Sequence, residues 1–348
     1  MAMTIVEAAR GVTGGVDTHL DVHVAAALDP LGTLLGSEPF ATTPAGYKQL
    51  LGWLEGFGDV GKIGIEGTGS YGAGLARFLR RRGVEVIEVD RQNRQARHRS
   101  GKSDPLDAIE AARAALGGRA KGHAKSKDGA VEAIRVLVIA KRSARQARVK
   151  ALTQMRHLTV PAPDQLRCRL KGLTVPTLVA EGVKLRPGRS TDPVTSATKA
   201  SISSLAHRIQ SLEREIDELD ELLAPLLAVT APDLLALFGV GPDTAAALLV
   251  TAGDNPERLR SEAAWAHLCG VSPLQASSGK VTRHRLDRGG DRQANSALWC
   301  ITMVRIAHDP ETTAYFERRV KEGRSKPEVI RILKRYIARE VYRHLPRG

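Results

Sequence analysis

The opening of the chain alternates apolar and polar residues with a period of two, and this pattern restricts the fold more than any other feature. Two sets of side chains alternate between residues 12 and 28: Val16, Thr18, Leu20, Val22 and Val24 in one, and Asp17, His19, Asp21 and His23 in the other. Such alternation predicts a β-strand with one polar face. Asp29-Pro-Leu-Gly32 is a turn signal, so we expect Thr33–Phe40 to complete a hairpin.

Sequence patterns typical of helices and of strands alternate after this hairpin. We predict a helix at Ala45–Phe57, a strand at Lys62–Ile65, a helix at Tyr71–Arg82 and a strand at Val84–Val89. A hairpin followed by α/β units indicates a mixed sheet flanked by helices. Asp104 and Pro105 suit the N-cap and first turn of a further helix that ends near Leu116. Residues 117–130 have the composition of a linker.

The rest of the chain has mainly helical patterns. Residues 131–157 read as a basic helix, and residues 233–348 as a last helical domain with strand-like breaks around 270–285. Between them, apolar residues alternate spacings of three and four: Ile202, Leu205, Ile209, Leu212, Ile216, Leu219 and Leu223. This heptad seam predicts a long hairpin helix or coiled coil, which Pro225 and Pro232 should end. The seam must meet another helix, in this chain or in a second subunit.

Length and charge limit the domain organisation and the partners. A chain of 348 residues exceeds the usual size of one core, and we expect domains at 10–120, 121–230 and 231–348. A net charge of +14 favours a polyanion, with nucleic acid the first candidate and an anionic membrane surface the second. Membrane-spanning and signal-peptide patterns are missing, so we expect a cytoplasmic protein. Cys168, Cys269 and Cys300 are isolated and predict buried, reduced thiols.

Four carboxylates carry the strongest chemical signal. Asp17 lies on the polar face of the first strand, Glu66 ends a later strand, and Asp104 and Asp107 are neighbours on one helix face. Acids that converge repel one another unless cations lie between them. Mg²⁺ prefers oxygen ligands, and two ions about 4 Å apart can stabilise both the attacking and the leaving oxygen of a phosphodiester. The pattern therefore predicts a magnesium-dependent centre of the ribonuclease-H-like kind.

A rival interpretation uses the same segment. Gly67-Thr-Gly69-Ser-Tyr-Gly72 is a GxGxxG motif between a strand and a helix, and Asp90 follows about 20 residues later, as in dinucleotide-binding proteins. Glu66, however, places a carboxylate where a pyrophosphate would bind. The preceding hairpin is also unusual for a first βαβ unit. The nicotinamide-binding alternative is disfavoured but stays open.

The C-terminal region carries two weaker signals. Gly239-Val-Gly241-Pro between helical segments resembles a helix-hairpin-helix, whose turn amides can grip a phosphate, although a plain connection fits equally. Ser277 and Ser278 precede a basic segment, where a serine hydroxyl could attack a phosphodiester whose charge is neutralised. The candidate nucleic-acid contacts of the chain are Arg91, Arg94, Arg97, Arg99, Lys102, Lys280, Arg283 and Arg285.

Together these motifs resemble the DEDD transposases of bacterial insertion sequences, specifically the insertion sequence one-ten family. Gly-Val-Asp17-Thr-His, Glu66-Gly-Thr-Gly-Ser-Tyr and Lys-Ser-Asp104-Pro-Leu-Asp107-Ala look like the RuvC-like DEDD set of that family. Phe-Gly-Val-Gly-Pro-Asp-Thr-Ala and the Ser-Ser-Gly-Lys segment look like its C-terminal transposase domain. The resemblance covers nearly the whole chain, and none of the four carboxylates is missing.

The resemblance implies a recombinase with two kinds of catalytic group. Asp17, Glu66, Asp104 and Asp107 would bind Mg²⁺, while Ser278, rather than Ser277, would attack DNA and form a phosphoserine link. An element-encoded bridge RNA would pair with donor and target DNA. The active site would combine the RuvC-like domain of one subunit with the serine domain of another, in a dimer that pairs into a tetramer through the heptad helix. We expect such a protein in the bacterial nucleoid.

Two further functions without transposition fit the same residues. In a ribonuclease-H-like junction resolvase or hydrolytic nuclease, the serine has no catalytic role, and cleavage survives Ser278→Ala. In a basic nucleic-acid-binding scaffold, the carboxylates are structural, and Asp17→Ala and Glu66→Ala proteins misfold. Cofactor titration tests the nicotinamide alternative.

Overall fold

The computed structural model describes residues 11–89, 103–120, 122–123, 125–188, 192–255, 259–276 and 284–346. The chain divides into two compact units. The first contains the described residues of Met1–Gly129 and Ala252–Ala264, and the second those of Ala130–Thr251 and Trp265–Pro346.

The first unit is a mixed sheet with helices. Its strands are β1 (Gly11–Thr18), β2 (Val22–Leu28), β3 (Leu34–Ala41), β4 (Asp59–Glu66), β5 (Glu85–Val89) and β6 (Gly122–His123), and its helices are α1 (Pro44–Glu55), α2 (Ala73–Arg80) and α3 (Asp104–Leu116). The strand order is β3-β2-β1-β4-β5-β6. The β1–β4 and β4–β5 pairs are parallel, whereas β1–β2, β2–β3 and β5–β6 are antiparallel. This architecture is consistent with a ribonuclease-H-like fold.

The opening segment differs from its prediction. Residues 12–28 form two strands, β1 and β2, which pair as a hairpin around residues 19–21. The expected single polar face is also wrong, because Val12 to Thr18 are all buried. Helices cover both faces of β1: Val16 packs in the core with α1 and α2, and Gly15 lies against α3. Leu20, at the turn, is exposed.

Small residues let α3 approach the sheet closely. A Cβ atom on Gly15 would collide with the backbone at Ala108 and Ala112, and one on Gly64 with the backbone of Ala111. The helix therefore lies almost directly on the backbones of β1 and β4. Ser103, rather than the predicted Asp104, is the N-cap, and Pro105 occupies the first turn as expected.

The described residues between 117 and 130 pair with the sheet and with α2, which a linker would not do. They contain β6, which pairs with β5 through Ile87 and Glu88. Arg80 donates hydrogen bonds to the carbonyl of Lys125 at 3.1 and 3.2 Å, and Arg77 donates one to the carbonyl of Lys127 at 3.1 Å. The Gly- and Lys-rich composition hides these contacts because they use backbone carbonyls, which every residue type supplies.

The described residues of the second unit form helices and one short strand pair. Its elements are α4 (Ala130–Thr159), α5 (Asp164–Leu170), α6 (Val175–Lys184), α7 (Pro193–Thr230), α8 (Pro232–Leu235), α9 (Pro242–Ala252), α10 (Glu262–Leu268), β7 (Leu274–Gln275), β8 (His284–Arg285), α11 (Arg292–His308), α12 (Pro310–Lys321) and α13 (Lys326–His344). The last residue of α9, Ala252, and the first three residues of α10, Glu262 to Ala264, belong to the first unit. The predicted basic helix and the helical C-terminal region with strand-like breaks are confirmed. The prediction of buried cysteines is confirmed for Cys269 but wrong for Cys168 and Cys300, which are exposed.

The heptad seam of α7 meets a helix of the same chain. Helix α4 packs along α7, and Met155 of α4 shares a buried cluster with Ile202 and Ile209 of α7. Pro225 does not end α7 as predicted, since the helix continues to Thr230. Leu223 and Leu227 are buried on either side of this exposed proline, so tertiary packing outweighs the lost hydrogen bond. Among the described residues, none of the helices combines the length and apolar composition of a membrane span.

Candidate metal-binding carboxylate site

Two of the four predicted carboxylates stand side by side at the end of the sheet. Val16 of β1 is opposite Ile65 of the parallel strand β4, so Asp17 and Glu66 are the next residues on neighbouring strands. Both are buried, with 6% and 8% of their surface exposed. Thr18 Oγ1 donates a 2.7 Å hydrogen bond to the Glu66 carbonyl and joins the two strand ends. Glu66 is followed by Gly67, whose φ of +75° permits the sharp turn.

Helix α3 brings the other two carboxylates to the same end. Gly15, which contacts α3 at Ala108 and Ala112, has the same strand parity as Asp17 two residues later. The C-terminal end of β1, which carries Asp17, therefore points toward the N-terminus of α3. Asp104 and Asp107 lie in the first turn of that helix. The side chain of Asp104 is 45% exposed, so this carboxylate faces the open part of the site.

A histidine joins the carboxylates. His19 Nε2 lies 3.0 Å from Asp17 Oδ2 and 3.5 Å from Asp104 Oδ1. One ligand atom from each of these three residues falls within 4.8 Å of the others, as in a site that can hold a metal ion. From the sequence, His19 was predicted to share a face with Asp17 but had no predicted role. The Asp-Thr-His spacing could have suggested that His19 lies beside Asp17. The contact of His19 with Asp104 depends on the turn after β1, which cannot be read from the spacing.

The electrostatics of the site disfavour an ionised Asp17 without a cation. Burial raises the pKa of the Asp17 carboxyl, and the charges of Asp107 and Asp104 raise it further, while His19 opposes them. Asp107 therefore acts on Asp17 although it lies outside the three-residue cluster. The donors are carboxylate oxygens and one imidazole nitrogen, a set that fits a divalent cation.

The glycine turn next to the site is closed on itself. The amides of Ser70 and Gly72 both donate to the carbonyl of Gly67, at 2.9 and 3.2 Å, and Lys127 Nζ donates to the carbonyl of Gly69. A dinucleotide-binding turn directs its amides at the pyrophosphate. Because two amides here are used within the turn, the GxGxxG motif has no such geometry.

Several predicted site residues lie outside the described part of the chain. They are Asp90, Arg91, Arg94, Arg97, Arg99, Lys102, Ser277, Ser278, Lys280 and Arg283. Arg285 is described: it is exposed on β8 and lines a cavity of the second unit.

Comparison with known proteins gives matches over both ends of the chain. Residues 14–160 match the DEDD transposase model of IS110, described as "Transposase", and residues 231–317 match the model described as "Transposase IS116/IS110/IS902 family". Together the two segments cover about two thirds of the chain. The first contains all four carboxylates and His19, and the second contains Ser278.

Two curated proteins are similar over part of their length. The "Insertion element IS110 uncharacterized 43.6 kDa protein" of Streptomyces coelicolor is 31% identical over 146 residues, which are 41% of this chain and 35% of the relative. The "Insertion element IS900 uncharacterized 42 kDa protein" of Mycobacterium paratuberculosis is 24% identical over 137 residues, 38% of this chain and 34% of the relative. The chain thus matches about a third of the length of each. On the two family models and the carboxylate-bearing sheet, the chain belongs to the IS110 family of insertion-sequence transposases.

Proposed function

We propose that this protein cuts and rejoins DNA strands as the transposase of an insertion sequence, with a divalent cation, Mg²⁺ by preference, held at the carboxylate site. The observation that carries the proposal is the cluster of Asp17, His19 and Asp104 at the end of two parallel strands, inside the segment that matches the DEDD transposase model. Glu66 and Asp107 complete the proposed ligand set. When bound, the cation supplies charge stabilisation for the oxygens of the phosphodiester.

The residues of the chain prepare this site before any substrate arrives. Asp17 is fixed by burial, and its carboxylate is held against His19. Asp104 is half exposed and can follow the substrate, because it lies at the first turn of α3. A rigid buried ligand combined with an accessible one suits a centre that must admit a DNA strand from solvent.

The resemblance to the family supports a second catalytic group, Ser278. In this step Ser278 Oγ attacks the phosphorus of a phosphodiester and forms an ester bond, while the bond to one deoxyribose oxygen breaks. The serine proton passes to a base, and the departing oxygen takes up a proton to become a hydroxyl. Attack by that hydroxyl reverses the cleavage, whereas attack by a hydroxyl of another strand forms a new phosphodiester and completes the exchange. In either case the bond from phosphorus to the serine oxygen breaks, and the serine takes up a proton.

The same resemblance supports the remaining parts of the proposal. A bridge RNA encoded by the element selects donor and target DNA by base pairing, which leaves the protein mainly phosphate and shape contacts. Two subunits contribute to each active site, in a dimer that assembles into a tetramer. We assign the RuvC-like domain to residues 10–120, the assembly region to 121–230 and the serine domain to 231–348.

A denaturing gel tests the proposal. The protein is incubated with Mg²⁺, labelled donor and target DNA, and RNA from the flanks of the element, in wild-type, Asp104→Ala and Ser278→Ala forms. We expect a covalent protein–DNA adduct in the wild type alone. Nicked DNA without an adduct, produced equally by wild type and Ser278→Ala, would instead establish a hydrolytic nuclease or junction resolvase.

A further inference from the structure

A basic cavity of about 680 Å³ lies within the second unit. It is bordered by β8 and the residues after it, by the loop before α13, and by α13 itself. Five basic side chains line it: Arg285, Arg324, Arg331, Lys334 and Arg335.

The two acidic side chains of the lining are engaged elsewhere. Glu328 Oε2 accepts hydrogen bonds from the Ser325 amide at 3.0 Å and from Ser325 Oγ at 2.8 Å, as part of the cap of α13. Asp287 Oδ1 accepts from the amide of Gly289 at 2.9 Å. Asp287 Oδ2 lies 3.2 Å from His267 Nδ1, although not in hydrogen-bond geometry. These hydrogen bonds come from neutral donors and leave both carboxylates charged, but five basic side chains against two acidic ones give the lining a net positive charge.

Lys334 is the informative member of the set. It is only 6% exposed, yet it borders both this cavity and an adjacent one of about 490 Å³. Its Nζ donates a 2.8 Å hydrogen bond to Asn295 Oδ1. Asn295 Nδ2 in turn donates to the carbonyls of Cys269 and Gly270, both at 2.9 Å, which fixes the amide with its oxygen toward the lysine.

A buried ammonium beside a neutral amide is costly unless an anion completes its surroundings. The amide oxygen of Asn295 takes one of the three donors of Lys334, and burial lowers the pKa of the lysine. Arg331 lies one turn before Lys334 on α13 and borders the same cavity, so a second cation faces the same space.

We propose that this cavity binds a phosphodiester group of a nucleic-acid strand, with Lys334 at its centre and Arg331 and Arg285 as further contacts. Three cationic side chains around one phosphate supply hydrogen-bond donors for its several acceptor oxygens. That the strand belongs to a recombination substrate rests on the proposed function, whereas phosphate binding by the cavity does not.

Inorganic phosphate tests the cavity by itself. The melting temperature of the full-length protein is measured in phosphate and in chloride of equal ionic strength, for wild type, Lys334→Met, Arg331→Met and Arg343→Met. Arg343 is an exposed residue of the same helix outside the cavity lining, so its variant is the charge-matched control. We expect phosphate to raise the melting temperature of wild type and Arg343→Met by about 2 °C and to have no effect on the two cavity variants.

An equal shift in all four proteins, or none in the wild type, would overturn the proposal. Arg331 is exposed, so its variant should fold even if Lys334→Met does not. Lys334→Met itself removes a buried charge and keeps an unbranched side chain of similar length.

Labelled single strands of DNA and of RNA with the same sequence then identify the ligand. We expect Lys334→Met to weaken binding of the preferred strand about tenfold and to lower its salt slope by about 0.7, the loss of one phosphate contact. Equal weakening by Arg343→Met would show general attraction and refute a specific cavity. The two proposals can fail separately. If the wild-type protein binds phosphate in this cavity but forms no adduct with DNA, the phosphate site is supported and the proposed transposase chemistry is rejected.

Discussion

At the scale of single residues, Asp17 determines how the carboxylate site depends on pH and on metal. The pKa of its carboxyl is raised, so the folded protein favours the protonated form of Asp17. The free energy of unfolding is therefore highest below the ordinary aspartate pKa of about 3.9, and it falls as pH rises through the raised pKa. We therefore expect Asp17→Asn to stabilise the metal-free protein at pH 7 by about 0.5–2 kcal/mol, and the gain to disappear in acid. Urea denaturation at pH 7 and at pH 3.5 measures both.

The same variant should also lose its response to metal. We expect Mg²⁺ to raise the melting temperature of the wild type by binding the folded state, and Asp17→Asn to abolish this rise because it removes a buried ligand. Asp21→Asn is the matched control, because Asp21 is an exposed acid four residues away and is not part of the three-residue cluster. A metal-dependent shift that persists in Asp17→Asn but vanishes in Asp21→Asn would place the ion elsewhere.

At the scale of elements, the close contact of α3 with the sheet positions Asp104 and Asp107. A Cβ on Gly64 would collide with the backbone of Ala111, and backbone cannot rotate away as a side-chain end can. We expect Gly64→Ala to destabilise the protein by about 1–3 kcal/mol and to reduce cleavage as α3 moves outward. Gly61→Ala on the same strand is the control, because no atom lies within 4 Å of the added methyl group. Equal stability of the two variants would contradict this account of α3.

A second element-level contact joins α4, α7 and α9. The buried Lys141 Nζ contacts Asp220 and lies 2.7 Å from Asp243 Oδ1, and Arg145 lies 2.8 Å from the other Asp243 oxygen. Burial alone would raise the pKa of Asp243, but the hydrogen bonds from Lys141 and Arg145 outweigh it, so the pKa is lowered.

We expect Lys141→Met to lower the free energy of unfolding at pH 7 by about 1–2 kcal/mol, less than for a fully buried pair because both carboxylates are partly exposed. The attraction requires a charged Asp243. The stabilisation is thus present above the ordinary aspartate pKa and is lost as pH falls through the lowered pKa. Denaturation curves from pH 7 to pH 2.5 should show the two proteins converging in acid. A difference that is constant across that range would indicate a packing effect instead.

At the scale of the whole molecule, the net charge of +14 predicts binding dominated by phosphate contacts. We expect the affinity for duplex DNA to fall steeply between 50 and 200 mM salt, with a log–log slope of about −0.9 for each phosphate contacted. Fluorescence anisotropy measures this slope for labelled duplexes that carry either the donor or target sequence or a scrambled sequence of the same composition. A flat dependence would remove the electrostatic argument for a nucleic-acid partner.

Most of the helices and strands, and the family of the chain, could be predicted from the sequence alone. The carboxylates, the charge and the helical periods are local properties of the chain, and short motifs in a fixed order indicated the family that the comparisons support. Alternation alone, however, could not separate one long strand from a hairpin, because the alternating sequence pattern continues through residues 19–21. The register pairs Asp17 with Val24, so the turn exchanges the two faces that a single strand would have kept.

Which of these residues come into contact depends on the folded chain and could not be predicted from the sequence. The contact of His19 with Asp104 joins positions 85 residues apart. The packing of α3 against Gly15 and Gly64 depends on the register of the two strands that carry these glycines. Lys334 likewise looks in sequence like any surface lysine of a basic helix. Burial and distance belong to the folded chain, since they are set by packing between segments that are remote in sequence.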